Sequence, residues 1–197
     1  MKMIFEFTIA SATLLTFPAL AGHGGADEGP KVLTEFVRSE KSPRNSEGDV
    51  VELRDGRLLI VYSQYYADAA NKFAGGHDNA SARIVACESA DGGRTWSAPR
   101  TVAEKGATDL NVMSASFLRL KDGALALFYL VKRSSFDCRP AMRVSRDEGR
   151  TWSAPSLCIA DADARYYVMN NARAVSVGGR ILLPLARHNP VKKNGRT

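Results

Sequence analysis

Two aspartates, Asp91 and Asp147, stand in almost the same surroundings. SADGGRTWSAP runs from Ser89 to Pro99 and SRDEGRTWSAP from Ser145 to Pro155, and the two differ only at Ala90/Arg146 and Gly92/Glu148. A pair of carboxylates is common equipment for general acid and base work. These two are poor candidates for it, because they occupy equivalent positions in different repeats and so stand some distance apart. Each residue has a local job instead. An Asp in a tight turn accepts N–H groups of that turn, Ser and Thr close side-chain bonds across it, and Trp supplies an apolar face to pack under. Ser89, Asp91, Gly93, Thr95 and Trp96, with Ser145, Asp147, Gly149, Thr151 and Trp152, are therefore expected to be structural staples.

Other polar residues sit in long loops, which carry function when a rigid scaffold holds them. The loop from Gln64 to Ser81 contains Tyr65, Tyr66, Asp68, His77 and Asp78. That from Lys132 to Pro140 contains Arg133, Asp137 and Arg139. Further on come Asp109 and Asn111, then Asp161, Asp163, Tyr166, Tyr167, Asn170 and Asn171. Repeat arithmetic selects among them. Nine residues before Leu53 is Arg44, nine before Leu120 is Asn111, and the ungapped third repeat puts Tyr167 in that place. All three are expected at the start of an innermost strand.

The elements that must position these residues follow from the same repeats. Leu53-Arg54-Asp55-Gly56-Arg57 and Leu120-Lys121-Asp122-Gly123-Ala124 each lie between apolar runs, a hairpin signal. Val177-Gly178-Gly179-Arg180 opens a third unit. The first unit reads as strands at Val50–Leu53, Leu58–Tyr62, Ala82–Cys87 and Trp96–Val102. The second reads as strands at Ser114–Leu120, Leu125–Val131, Ala141–Val144 and Trp152–Ile159. No helical period of useful length appears. Four-stranded antiparallel units repeating every 50 to 60 residues imply an all-β fold, a β-propeller of which about two and a half blades are present. The expected divisions are a linker at 22–42, a first blade at about 43–103, a second at about 110–160 and the start of a third at about 166–197. A propeller removes its edges by closing a ring, so the chain is expected to be the N-terminal part of a longer protein.

Met1-Lys2, an apolar run from Phe7 to Leu20 and Ala19-Leu20-Ala21 before Gly22 read as a secretory signal over residues 1–21. Export to the periplasm or the extracellular space is expected, with no membrane span after cleavage. Cys87, Cys138 and Cys158 are odd in number and read as small buried hydrophobes rather than as a disulfide framework. His23, His77 and His188 are too scattered to suggest a metal site, and no cofactor is expected. The formal charge of +6 comes from dispersed Lys and Arg. It argues against nucleic acid as a partner and suits an anionic small substrate.

The repeated S-x-D-x-G-x-T-W pattern resembles the Asp box of sialidases (neuraminidases) and other bacterial-neuraminidase-repeat proteins. The resemblance covers roughly residues 43 to 197. It implies a six-bladed propeller and an exo-α-sialidase-like glycoside hydrolase, which removes terminal sialic acid or a related acidic sugar from glycans by a retaining mechanism. It implies that Arg44 grips the substrate carboxylate and that Asp78, just before the third strand, is the acid/base residue, with Asp68 and Asp49 in reserve. Asn111, Tyr166, Tyr167 and Asn170 would complete the substrate-binding surface. At the first arginine this sequence reads Arg44-Asn45-Ser46-Glu47-Gly48-Asp49, where many sialidases have Arg-Ile-Pro. The family's nucleophilic tyrosine, its glutamate and two further arginines belong to later blades, so the piece alone is expected to be inactive. Two other functions suit the same scaffold: a non-catalytic carbohydrate- or protein-binding propeller, and a polysaccharide lyase.

Overall fold

Leu58-Leu59-Ile60-Val61-Tyr62 and the run from Leu125 to Val131 are apolar on both alternating faces, as a strand covered on two sides must be. Both become second strands of blades. The computed structural model describes residues 32–73 and 76–188, so the expected export signal lies outside the described residues. The first blade is β1 (Arg44–Glu52), β2 (Leu58–Tyr65), β3 (Ala82–Ser89) and β4 (Arg100–Ala103), antiparallel in that order. The second is β5 (Asn111–Arg119), β6 (Leu125–Lys132), β7 (Cys138–Ser145) and β8 (Ser156–Leu157). A 3-10 turn at Asp161–Asp163 leads to β9 (Tyr166–Val168), β10 (Val175–Val177), β11 (Arg180–Leu182) and β12 (Ala186–His188). Strand β9 pairs with β12 and β10 with β11, so these four short strands are one interrupted hairpin, the opening of a third blade.

The first strand of each blade is bent in the same place. Pairing slips between Ser46 and Asp49 in β1 and between Met113 and Ser116 in β5. Glu47 and Ser114 at these slips adopt left-handed φ of 56° and 60°. The third hairpin does the same at Ala172, φ 54°. A bulge leaves backbone groups unpaired, and the preceding blade takes them up. Ser114 N–H donates to Ser63 Oγ (3.1 Å) and Phe117 N–H to Asp49 Oδ2 (2.7 Å). Arg173 and Ala174 N–H both donate to Ser116 Oγ (2.9 Å). The bends therefore lock each blade to its predecessor.

Apolar layers fill the space between blades. Leu59, Val61, Ile84, Phe117, Leu125, Leu127 and Tyr129 form the layer between the first and second. Met113, Ala126, Phe128, Leu130 and Met169 form that between the second and third. The alternation along β6 sends odd-numbered residues one way and even-numbered residues the other.

Three expectations need correction. The fourth strands are shorter than read, because Trp96 folds back with its Nε1 donating to Gly93 O (3.0 Å) and belongs to the turn, not the strand. Pro99 and Pro155 then lack the N–H a ladder needs. Cys158 is exposed rather than buried, just beyond the short β8, whereas Cys87 and Cys138 are buried free thiols. The third register is displaced as well. The first two hairpins turn through five residues, Leu53–Arg57 and Leu120–Ala124, but Val177 pairs directly with Arg180 across Gly178-Gly179, φ 55° and 80°. That two-residue turn shifts the count. Measured from the bulges, Met169 and not Tyr167 occupies the place of Arg44 and Asn111.

Candidate functional site

Strand direction puts the two kinds of polar cluster at opposite ends of a blade. The Asp-Gly turns and the Ser-Asp-Trp boxes close the ends of β1, β3, β5 and β7. Arg44, Asp78 and Asn111 stand at the other end, eight strand residues away along β3, or about 25 Å.

Each box is satisfied within itself. Asp91 Oδ1 accepts from Ser89 Oγ (2.8 Å), Arg94 N (3.0 Å) and Thr95 N (2.9 Å), and Oδ2 accepts from Thr95 Oγ1 (2.6 Å). Asp147 repeats this with Ser145 Oγ (2.7 Å), Thr151 N (2.8 Å) and Thr151 Oγ1 (2.5 Å). These donors hold both carboxyls below the usual range, Asp147 at about 2. With both oxygens of each carboxyl engaged within the turn and its pKa held down, neither is suited to act as an acid or a base near neutral pH.

At the other end lies a cleft of about 240 Å³. Arg44, Glu47 and Asp78 from the first blade, Ser114 and Lys132 from the second, and Tyr166, Tyr167, Met169 and Asn170 from the third line it. The structure thus brings Arg44, Asp78, Tyr166, Tyr167 and Asn170 together. Asn111 is placed beneath the cleft, fully buried, with its Nδ2 donating to Asp78 O (3.0 Å) and Ala80 O (2.9 Å).

Arg44 is tightly held. Its guanidinium lies over the buried Tyr65 ring at 4.5 Å, and its Nε donates to Ser46 Oγ (3.1 Å). Its Nη1 donates to Asp78 Oδ1 (2.6 Å) and Gly76 O (3.2 Å), and Nη2 stands 3.8 Å from Glu47 Oε1. Only glycine fits at position 76, where φ is +76° and a Cβ would lie 2.7 Å from Arg44 Cβ. Asp78 is the exposed partner, its side chain 73% accessible, and the hydrogen bond from Arg44 holds its pKa below the ordinary value. That is the reverse of the raised pKa a general acid needs. The reserve carboxylates are committed elsewhere. Asp49 accepts from Phe117 N and Val50 N, and Asp68 from Ser81 Oγ (2.7 Å) and Ala70 N (2.9 Å).

Glu47 and Lys132 were not singled out by sequence reasoning. Glu47 is recognisable only once the bulge is known, since the bend turns its side chain toward Arg44. Lys132 had a signal. It follows Ala126, Phe128 and Leu130 at period two on β6, in a slot that the pattern reserves for a buried apolar residue. The loop charges Arg133, Asp137 and Arg139 do not enter the cleft. Arg139 is buried between Asp137 (2.8 Å) and Asp161 (2.8 Å).

Comparison with known proteins shows the family and the fold. Residues 67–195 match the family described as BNR repeat-like domain. No curated protein sequence matches the chain. Among solved structures, a Hadza microbial sialidase superposes with a TM-score of 0.58 at 16% identity, covering 79% of this chain and 34% of its own. The NanB sialidase of Streptococcus pneumoniae gives 0.56 at 10% identity, covering 82% and 43%. An α-L-arabinanase of Penicillium chrysogenum, complexed with arabinobiose, gives 0.51 at 14% identity, covering 74% and 42%. The chain thus spans less than half the length of each of these structures. The shared feature is the propeller fold.

Proposed function

We propose that this chain, which belongs to the BNR repeat-like family, forms part of an exo-sialidase-like glycoside hydrolase acting on a terminal acidic sugar. The observation that carries the reading is the single cleft in which Arg44, Asp78, Tyr166, Tyr167 and Asn170 converge from the first and third blades. A guanidinium fork fixes the plane of a carboxylate through two charge-assisted bonds. Arg44 is held ready for that, with its ring platform and its Nη atoms directed at carboxylate oxygens.

The Arg44–Asp78 ion pair then has a mechanistic use. A substrate carboxylate competes with Asp78 for Nη1. As Asp78 loses that partner beside an incoming negative charge, its proton affinity rises. As the substrate seats, Asp78 takes up a proton from solvent and becomes the proton donor. The proton goes to the glycosidic oxygen, the bond from that oxygen to the anomeric carbon breaks, and the aglycone leaves as an alcohol. In the retaining scheme a nucleophile captures the anomeric carbon, and sialidases use a tyrosine for it. Tyr166 is unsuited, because burial pushes its phenol further from ionisation. It and Tyr167 are read as walls of the sugar pocket. The protein would be exported and need no cofactor.

The full-length protein is expected to release the fluorophore from a fluorogenic sialoside, and Asp78→Asn to lower that rate by about 100-fold or more with the fold unchanged. Full activity in Asp78→Asn would remove the acid assignment. A non-catalytic glycan-binding propeller is the second reading, favoured by the ionised state of Asp78 in the free cleft. It predicts binding of the sialoside with no release.

A further inference from the structure

Lys132 ends β6 with its side chain between the second and third blades. The residue is only 5% exposed, yet it lines the cleft. An ammonium has three N–H donors. Lys132 Nζ uses one, to the main-chain oxygen of Asp78 at 3.1 Å, and sits 5.4 Å from the centre of the Tyr166 ring. Among the described residues no carboxylate lies within ion-pair distance of it. Arg44 differs sharply, since Asp78 and Glu47 already face its guanidinium. A buried charge without a partner is costly, and burial does push the Lys132 pKa down. Among the described residues, Lys132 is therefore the cation of this cleft that faces no carboxylate, whereas Arg44 faces two.

We propose that Lys132 is a ligand-binding residue whose ammonium takes a carboxylate oxygen of the acidic sugar beside Asp78, a reading that rests on the cleft being a sugar site. Its position sets a specificity. The anion is met by Lys132 on the side of the second blade and by Arg44 on that of the first. The bond from Nζ to Asp78 O, together with those from Asn111 to Asp78 O and Ala80 O, holds the backbone of residues 78–80 while the Asp78 side chain changes partner. A neutral sugar leaves the ammonium unpaired and is rejected on that account.

The test compares a methyl α-sialoside with its carboxyl methyl ester as ligands of the full-length protein, by calorimetry. The wild type is expected to prefer the acid by about tenfold or more, equivalent to about 1.4 kcal/mol. Lys132→Met is expected to reduce the preference several-fold, leaving the part due to Arg44, and Lys132→Arg to keep most of it. A wild-type measurement stands independently of the variants' folding: the Lys132 side-chain amine resonance is expected to shift with the acid and not with the ester. An unchanged preference in Lys132→Met, or no shift of that resonance with the acid, would overturn the assignment to Lys132 and leave the sugar-site reading standing. Failure of both ligands to bind the wild type would overturn both.

Discussion

Asp78 is held at both its ends: the carboxylate by Arg44, the main-chain oxygen by Asn111 and Lys132. If the Arg44 bond is what depresses its pKa, Arg44→Ala must raise it. A carbon-detected NMR titration is expected to find Asp78 below the ordinary 3.8 in the wild type and at or above it in the variant. An unmoved value would mean that another group sets it. Asp147 makes a second residue-scale prediction. Its folded pKa is depressed to about 2, so its contribution to stability is complete above the ordinary value near 3.8 and lost as the pH falls through about 2. The melting-temperature gap between wild type and Asp147→Asn should be widest above about pH 4 and close toward about pH 2. A gap independent of pH would contradict the assignment. Asp91 and Asp147 were legible in the sequence because their partners lie within four residues of them. Lys132 was not selected, since a strand-end lysine ordinarily reads as a solvated charge. Its burial is created by a loop 54 residues away.

Among the elements, the second box does more than close its own hairpin. Glu148, where the first box has Gly92, accepts from Arg119 (2.5 Å) in its own blade and from Arg54 N (3.0 Å) in the first. Arg100 of the first blade donates to Gly149 O (2.7 Å). A Cβ at Gly149 would meet Leu59 Cδ2 at 2.6 Å, with φ at +82°. Gly149→Ala is therefore expected to cost about 1–3 kcal/mol, measured by urea unfolding. A neutral result would show that the two hairpins are not in close register. The strands themselves were readable from alternation and Asp-Gly turns. The bulges were not, because a one-residue slip at Glu47 or Ser114 leaves no compositional mark. The third register failed for a related reason: counting back from a turn assumes equal turns, and Gly178-Gly179 closes in two residues where the others take five.

Across the whole molecule, the bulges, apolar layers and box contacts fix each blade on its predecessor, and the cleft results from that stacking. Its walls come from three successive blades, so no single repeat contains the site. The staples that reveal the repeat lie at the far end of the strands from the cleft. The most direct test of this arrangement is an NMR titration of the protein with a methyl α-sialoside. Shifts are expected at Arg44, Asp78, Lys132 and Tyr166, with the resonances of Asp91, Thr95, Asp147 and Thr151 unmoved. Shifts centred on the two boxes, with the cleft residues silent, would contradict the account.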